Sequence, residues 1–157
     1  MTLSDLYHEQ APYLINFYQS PTNENLNQGA EPVPNATLIN ESQNVSFNIA
    51  PGQTYLFQII NMGVFAGQWL QFDQHEMTVV GVDGVYTQPY IVSQLFISVA
   101  QRYSVIITAK ASSSQNFAIV ASMDTDMFSQ GVTPPNLQNN VSFQNILSEL
   151  VLLTIER

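Results

Sequence analysis

Between Tyr55 and Ala109 the chain is a succession of short apolar, β-branched and aromatic runs divided by turn residues. Tyr55, Phe57 and Ile59 alternate with Leu56, Gln58 and Ile60, the period-two pattern of a strand with two different faces. Met77–Val82 and Tyr103–Thr108 repeat the signal, with Val, Thr and Ile prominent. Asp83-Gly84, between Val82 and Val85, reads as a two-residue hairpin turn, because Gly accepts the positive φ that such a turn demands. Thr37–Asn40, Val45–Ile49 and Phe117–Ser122 are predicted as further strands, and Pro51-Gly52 as the turn into the strand that starts at Thr54. Short strands, polar turns and little helical signal predict an all-β fold, an antiparallel sandwich or barrel.

The two ends depart from that pattern. Leu3, Leu6, Tyr7, Leu14 and Phe17, with Ser4 or Asp5 as a cap, predict a short helix or turn broken near Pro12. Ser20 to Pro34 is rich in Asn and Pro and is predicted as a loop, the kind of segment that often carries function. Phe143, Ile146, Leu147, Leu150 and Val151 fall at helical spacing and favour a helix for 143–157, while LVLLTIE reads equally as a buried strand. Periodicity does not separate these two readings over so short a run. No internal repeat and no second domain are evident.

The stretch IINMGVFAGQWLQFDQHEMTVVGVDGVYTQP, followed by ISVAQRYSVIITA, carries a family resemblance. So do LSDLYHEQ (Leu3–Gln10) and GAEPVPNATLIN (Gly29–Asn40) before it and ASMDTDMF (Ala121–Phe128) after it. In this order they resemble the second, middle cupredoxin-like domain of fungal multicopper oxidases, on the iron-oxidising (ferroxidase) branch, with laccases as more distant relatives. The resemblance implies a cupredoxin-like Greek-key β-sandwich or barrel over residues 1–142, with 143–157 as an atypical tail. It implies a secreted protein, or one at the extracellular face of the plasma membrane, whose partners are the first and third cupredoxin domains of a full-length oxidase. Copper belongs to that full-length enzyme, and the middle domain has none of its own. On this reading Met1 marks a cut or gene-model boundary rather than a mature N-terminus, with no signal peptide before the LSDLYHEQ motif.

Composition narrows the partners. The chain has 157 residues, enough for one domain that buries about 70% of its unfolded surface. It has no Cys, so it needs and forms no disulfide. Three basic residues against twelve carboxylates, a net charge of -9 at pH 7, argue against nucleic acid or an anionic membrane as partner. No apolar run approaches the length of a membrane span. Surface polarity falls instead to thirty Asn and Gln residues. Asn35, Asn40, Asn44 and Asn140 each head an Asn-x-Ser/Thr sequon, and three of them within ten residues point to a secreted glycoprotein.

The candidate chemistry is sparse. A blue-copper site needs two His and a Cys thiolate; this chain has no Cys, and His8 and His75 are 67 positions apart. His75 is expected to hold a turn by hydrogen bonds, with a metal role beside Asp73 or Glu76 as the lesser reading, and His8 to cap or pack the first turn. Arg102, inside an apolar strand run, is expected to be buried and paired with Asp83 or Asp124, since an unpaired buried charge is costly. No Ser-His-Asp motif and no Gly-rich phosphate loop is present, and no residue of this chain is assigned as catalytic. The resemblance implies that Glu31 of GAEPVP matches a carboxylate that iron-oxidising relatives use for Fe(II). A second such carboxylate aligns with Ser129, which has lost the charge. Asp126, close by, is a weaker candidate that points elsewhere if the segment is extended. Two functions follow. One is a middle domain that scaffolds a copper oxidase and supplies part of its substrate surface, inactive alone. The other is a truncated secreted glycoprotein acting as a non-catalytic binding domain; separated from neighbouring domains, the middle domain is expected to self-associate.

Overall fold

The fold was established from a computed structural model that describes residues 1–43, 45–111, 116–126, 128 and the backbone of 149–154. Its strands form two sheets. One has six strands in the order β2 (Ala36–Ile39), β1 (Thr2–Leu6), β4 (Thr54–Asn61), β9 (Arg102–Thr108), β6 (Met77–Val82), β7 (Val85–Val92). The other has five, in the order β3 (Ser46–Asn48), β11 (Glu149–Thr154), β10 (Ala118–Met123), β5 (Gln68–Phe72), β8 (Leu95–Ile97).

The period-two pattern becomes the interior. Phe57 and Ile59 of β4, Val105 and Ile107 of β9, and Met77 and Val79 of β6 are buried towards the second sheet. Leu70 and Phe72 of β5, Ile97 of β8 and Ile119 of β10 meet them from the other side. Phe57 sets its ring edge against Phe72 at 5.1 Å and against Phe47 at 5.9 Å, so three strands from both sheets share one aromatic cluster. Burying one such side chain contributes about 1.5–3 kcal/mol, which makes this interface the main stabilising feature. The hairpin between β6 and β7 turns at Asp83 (φ 51) and Gly84 (φ 85), two consecutive left-handed residues as a primed turn requires.

Several expectations are corrected. The sheets are mixed rather than antiparallel throughout: β1 runs parallel to β4, and β10 parallel to β11. Thr2–Leu6 is a strand, because Leu3 lies opposite Ile39 and Asn61 and is fully buried between them. The helix α1 (Ala11–Tyr18) follows, and Pro12 lies in its first turn instead of breaking it. A proline there removes only an N–H that a helix leaves unpaired anyway. Ser20 to Pro34 is not all loop, for it holds the helix α2 (Pro21–Asn27). Ser20 caps it by accepting the Asn23 N–H on Oγ at 3.1 Å, and Pro21 supplies the preset φ of a first helical residue. Finally, Glu149–Thr154 is not helical. β11 pairs with β10 from Ala118↔Val151 to Ala121↔Thr154, and with β3 on its other side. Residues 143–148 and 155–157 of that helix prediction lie outside the described residues.

Candidate functional site

The GAEP loop is built by what precedes it. α2 ends with Gln28 in the left-handed region, and Gly29 continues there at φ +74, a conformation in which a side chain is strained. A Cβ at Gly29 would also stand 2.8 Å from Glu24 Oε2. Asn23, fully buried, donates from Nδ2 to the carbonyls of Tyr18 (3.1 Å) and Ala30 (3.0 Å), and its Oδ1 accepts from Asn27. The Tyr7 hydroxyl donates to the carbonyl of Pro32 at 3.2 Å. Burial, and secondarily the Asp5 carboxylate, push the Tyr7 phenol up to about 12, so it remains a donor at neutral pH. Glu31, between the two anchored carbonyls, is exposed to solvent.

One turn further on, Val33 packs against a satellite cluster of Ala66, Met123 and Phe128, beside Phe65. Phe65 and Phe128 stack with centroids 5.6 Å apart and planes inclined by 22°. This cluster joins the GAEP loop to the segment that holds Asp126. There the chain turns rather than extends: Asp126 N–H donates to Asp124 Oδ1 (3.1 Å) and Phe128 N–H to the Thr125 carbonyl (3.0 Å). The condition that would direct Asp126 away is therefore not met, and Asp126 is exposed. Ser129 lies outside the described residues.

Asp5 holds the loop that carries Phe65 and Ala66. Its Oδ2 accepts from the N–H groups of Val64 (2.9 Å), Phe65 (2.9 Å) and Ala66 (3.4 Å), and Oδ1 accepts from Gln68 Nε2 (3.2 Å). Buried Gln68 accepts in turn from Thr37, and buried Asn61 donates to the Ala66 and Ile97 carbonyls. Sequence reasoning missed Asp5, Tyr7 and Asn23. Only Asn23 left a readable sign, the Ser20-Pro21 helix start three residues before it.

The remaining candidates lie elsewhere. His75 Nδ1–H donates to the Asp73 carbonyl at 2.7 Å, and its ring meets Phe117 edge-on at 4.8 Å. The His8 ring is exposed and does not pack the first turn; its backbone N–H donates to Asn35 Oδ1. Arg102 is not buried. It stands at the surface, 3.8 Å from Asp83 Oδ1, with its N–H on that same oxygen (2.9 Å) and Nη2 on the Asp83 carbonyl (3.1 Å). Of the sequons, Asn35 is half-buried, while Asn40 is exposed at φ 48 with Oδ1 accepting from Thr2 N–H. Asn44 and Asn140 lie outside the described residues. Among the described residues no group of three or more His, Asp or Glu side chains gathers as metal ligands do.

A multicopper oxidase family model matches residues 1–145. The chain belongs to the multicopper oxidase family. It is 46% identical over 140 residues to the iron transport multicopper oxidase FET3 of Gibberella zeae, covering 89% of this chain and 22% of that protein. To the iron transport multicopper oxidase FET5 of Saccharomyces cerevisiae it is 40% identical over 149 residues, 92% of this chain and 22% of that protein. The crystal structure of Fet3p, a multicopper oxidase that functions in iron import, superposes with a TM-score of 0.82 at 33% identity over 99% of this chain and 27% of its own. The chain thus spans about a fifth of the length of the curated relatives it matches. These matches make the two-sheet architecture the cupredoxin-like fold of this family.

The family depends on copper, but the residues here do not fit a blue-copper centre. There is no Cys for the thiolate. Of the two His, one has its Nδ1 engaged with the Asp73 carbonyl and meets Phe117 edge-on, and the other is exposed just beyond the end of β1. No step of a reaction is assigned to copper on these residues.

Proposed function

We propose that this chain is the middle cupredoxin-like domain, over residues 1–142, of a ferroxidase-type oxidase, with 143–157 as a tail that adds β11. It spaces the first and third domains, which would hold the copper, and contributes the Glu31 carboxylate to the surface where Fe(II) is bound. The overall reaction oxidises four Fe(II) to four Fe(III) while one O2 and four protons become two waters. Secretion, or display at the outer face of the plasma membrane, and glycosylation at its sequons belong to the same reading. Its main support is the GAEP loop: an exposed carboxylate on a segment anchored from both sides, joined through Val33 and Phe128 to the segment of Asp126. A hard oxygen ligand stabilises Fe(III) over Fe(II) and so eases removal of the electron.

The test grafts this chain over the homologous span of the Gibberella zeae oxidase. Glu31→Gln should lower kcat/KM for Fe(II) about tenfold, roughly 1.4 kcal/mol of transition-state stabilisation, and leave phenol oxidation unchanged. Ser129→Asp should raise iron oxidation. Unchanged iron turnover in Ser129→Asp together with its loss in Asp126→Ala would make Asp126 the second ligand. A second reading, a non-catalytic binding domain, rests on the exposed apolar residues of β7, Val85, Tyr86, Tyr90 and Ile91. A graft that folds with its copper but oxidises neither iron nor phenol would favour it.

A further inference from the structure

The residues flanking Glu31 are held by side chains from two other elements. Ala30, immediately before it, has its carbonyl on Asn23 Nδ2 at 3.0 Å. Pro32, immediately after it, has its carbonyl on the Tyr7 hydroxyl at 3.2 Å. Asn23 is itself fixed: it is fully buried, its N–H is on the Ser20 cap, and its Oδ1 accepts from Asn27. The Ala30 N–H closes the same turn on the Asn27 carbonyl at 3.0 Å. Pro32 and Pro34 remove φ freedom after Glu31, and Val33 is seated on the Phe128 cluster. Asn23 Nδ2 also donates to the Tyr18 carbonyl at 3.1 Å, so the loop is tied to the end of α1 as well as to α2. Tyr7 lies just after the end of β1, and its hydroxyl reaches 25 residues ahead to this loop.

We infer that Tyr7 and Asn23 are positioning residues for Glu31, a two-sided clamp on the carbonyls before and after it that fixes where its carboxylate meets Fe(II). The inference rests on the reading of Glu31 as an iron ligand. A carboxylate on a loose loop must be ordered when the cation binds, and the clamp removes that cost in advance. It acts by backbone placement, so it should matter for a small hard cation held at fixed distance and not for a bulky phenol.

The experiment uses the copper-loaded graft for kinetics and the 157-residue chain for backbone order by nuclear magnetic resonance. Tyr7→Phe deletes one hydroxyl and keeps the ring; Asn23→Ser is the second variant should either fold poorly. Each should raise the KM for Fe(II) about threefold to tenfold, with phenol kinetics and copper content unchanged. Added to Glu31→Gln, Tyr7→Phe should cause no further loss, since both act through one carboxylate. In the chain alone, Tyr7→Phe should lower amide order at Ala30, Glu31 and Val33. An equal loss on iron and phenol, or a loss that adds to that of Glu31→Gln, overturns the clamp. Unchanged amide order in Tyr7→Phe does so as well. Unchanged iron kinetics in Glu31→Gln overturns the iron-site reading, and the clamp with it.

Discussion

Asp5 shows how one side chain can organise a loop that no strand pairing reaches. Its carboxylate collects the N–H groups of Val64 and Phe65 at 2.9 Å and the Gln68 amide at 3.2 Å. Each is a charge-assisted bond, and an amide in its place would turn one acceptor into a donor facing donors. Asp5→Asn should therefore lower unfolding stability by about 1.5–3 kcal/mol in urea titration, with the aromatic signal of Phe65 and Phe128 changing first. A loss below the error of the titration would mean that the loop is held by Asn61 alone. Tyr7 gives a second expectation at this scale. Burial and Asp5 raise it to about 12, and burial and Asp83 raise Tyr103. Both bind their protons more tightly folded than unfolded. The stability they contribute is complete below the ordinary value of 10.0 and is lost as pH rises above it, for Tyr7 as pH approaches about 12. Melting temperature followed through that window should fall, and Tyr7→Phe should flatten part of the fall. An identical alkaline slope in Tyr7→Phe would exclude Tyr7 from it.

Elements read well from sequence where one face is buried and one is not. Tyr55–Ile60, Met77–Val82 and the Asp83-Gly84 turn appear where the alternation and the glycine place them, because burial itself imposes the period. α2 was hidden by composition: Asn-rich PTNENLN has weak helix formers, yet Ser20 and Pro21 supply its start and buried Asn23 anchors it. β11 was hidden for another reason. ELVLLT has no alternation to read, and its strand state is settled by β3 and β10, which lie far off in sequence. Likewise Glu31 was legible through a motif, whereas Tyr7 and Asn23 act on carbonyls, a task any donor can perform and no motif marks. Ending the chain before Glu149 should leave β3 without its sheet neighbour and open the edge of β10. The truncated chain should unfold at lower urea and scatter more light, as exposed strand edges pair between molecules. Unaltered stability in the truncation would show that β11 adds nothing to the ladder.

For the molecule as a whole, β7 is an edge strand whose large apolar side chains are left uncovered. Tyr90 lies opposite Val79, on the face turned towards the second sheet, while beyond the β-bulge Tyr86 lies opposite Gly81, whose side faces Ser104 on the outer surface. Tyr90 and Tyr86 are 70% and 90% exposed, and β7 is the edge strand of its sheet. Val85 and Ile91 are exposed on the same edge strand, which is therefore apolar on both faces. Within the proposed oxidase this edge suits a neighbouring domain; in the separate chain its available occupant is a second copy. The net charge of -9 opposes that pairing, and the opposition depends on salt. Screening shortens from about 10 Å at 0.1 M to about 3 Å at 1 M ionic strength, so association should strengthen with salt as repulsion fades and apolar contact stays. Sedimentation should show a monomer at low salt and a dimer at high salt. Tyr86→Ser combined with Tyr90→Ser should abolish the dimer while stability changes by about 0.5 kcal/mol or less per site, since neither side chain is packed. A dimer that persists in the double variant would place the contact on another face, and a monomer at every salt concentration would leave β7 without a second copy as its occupant.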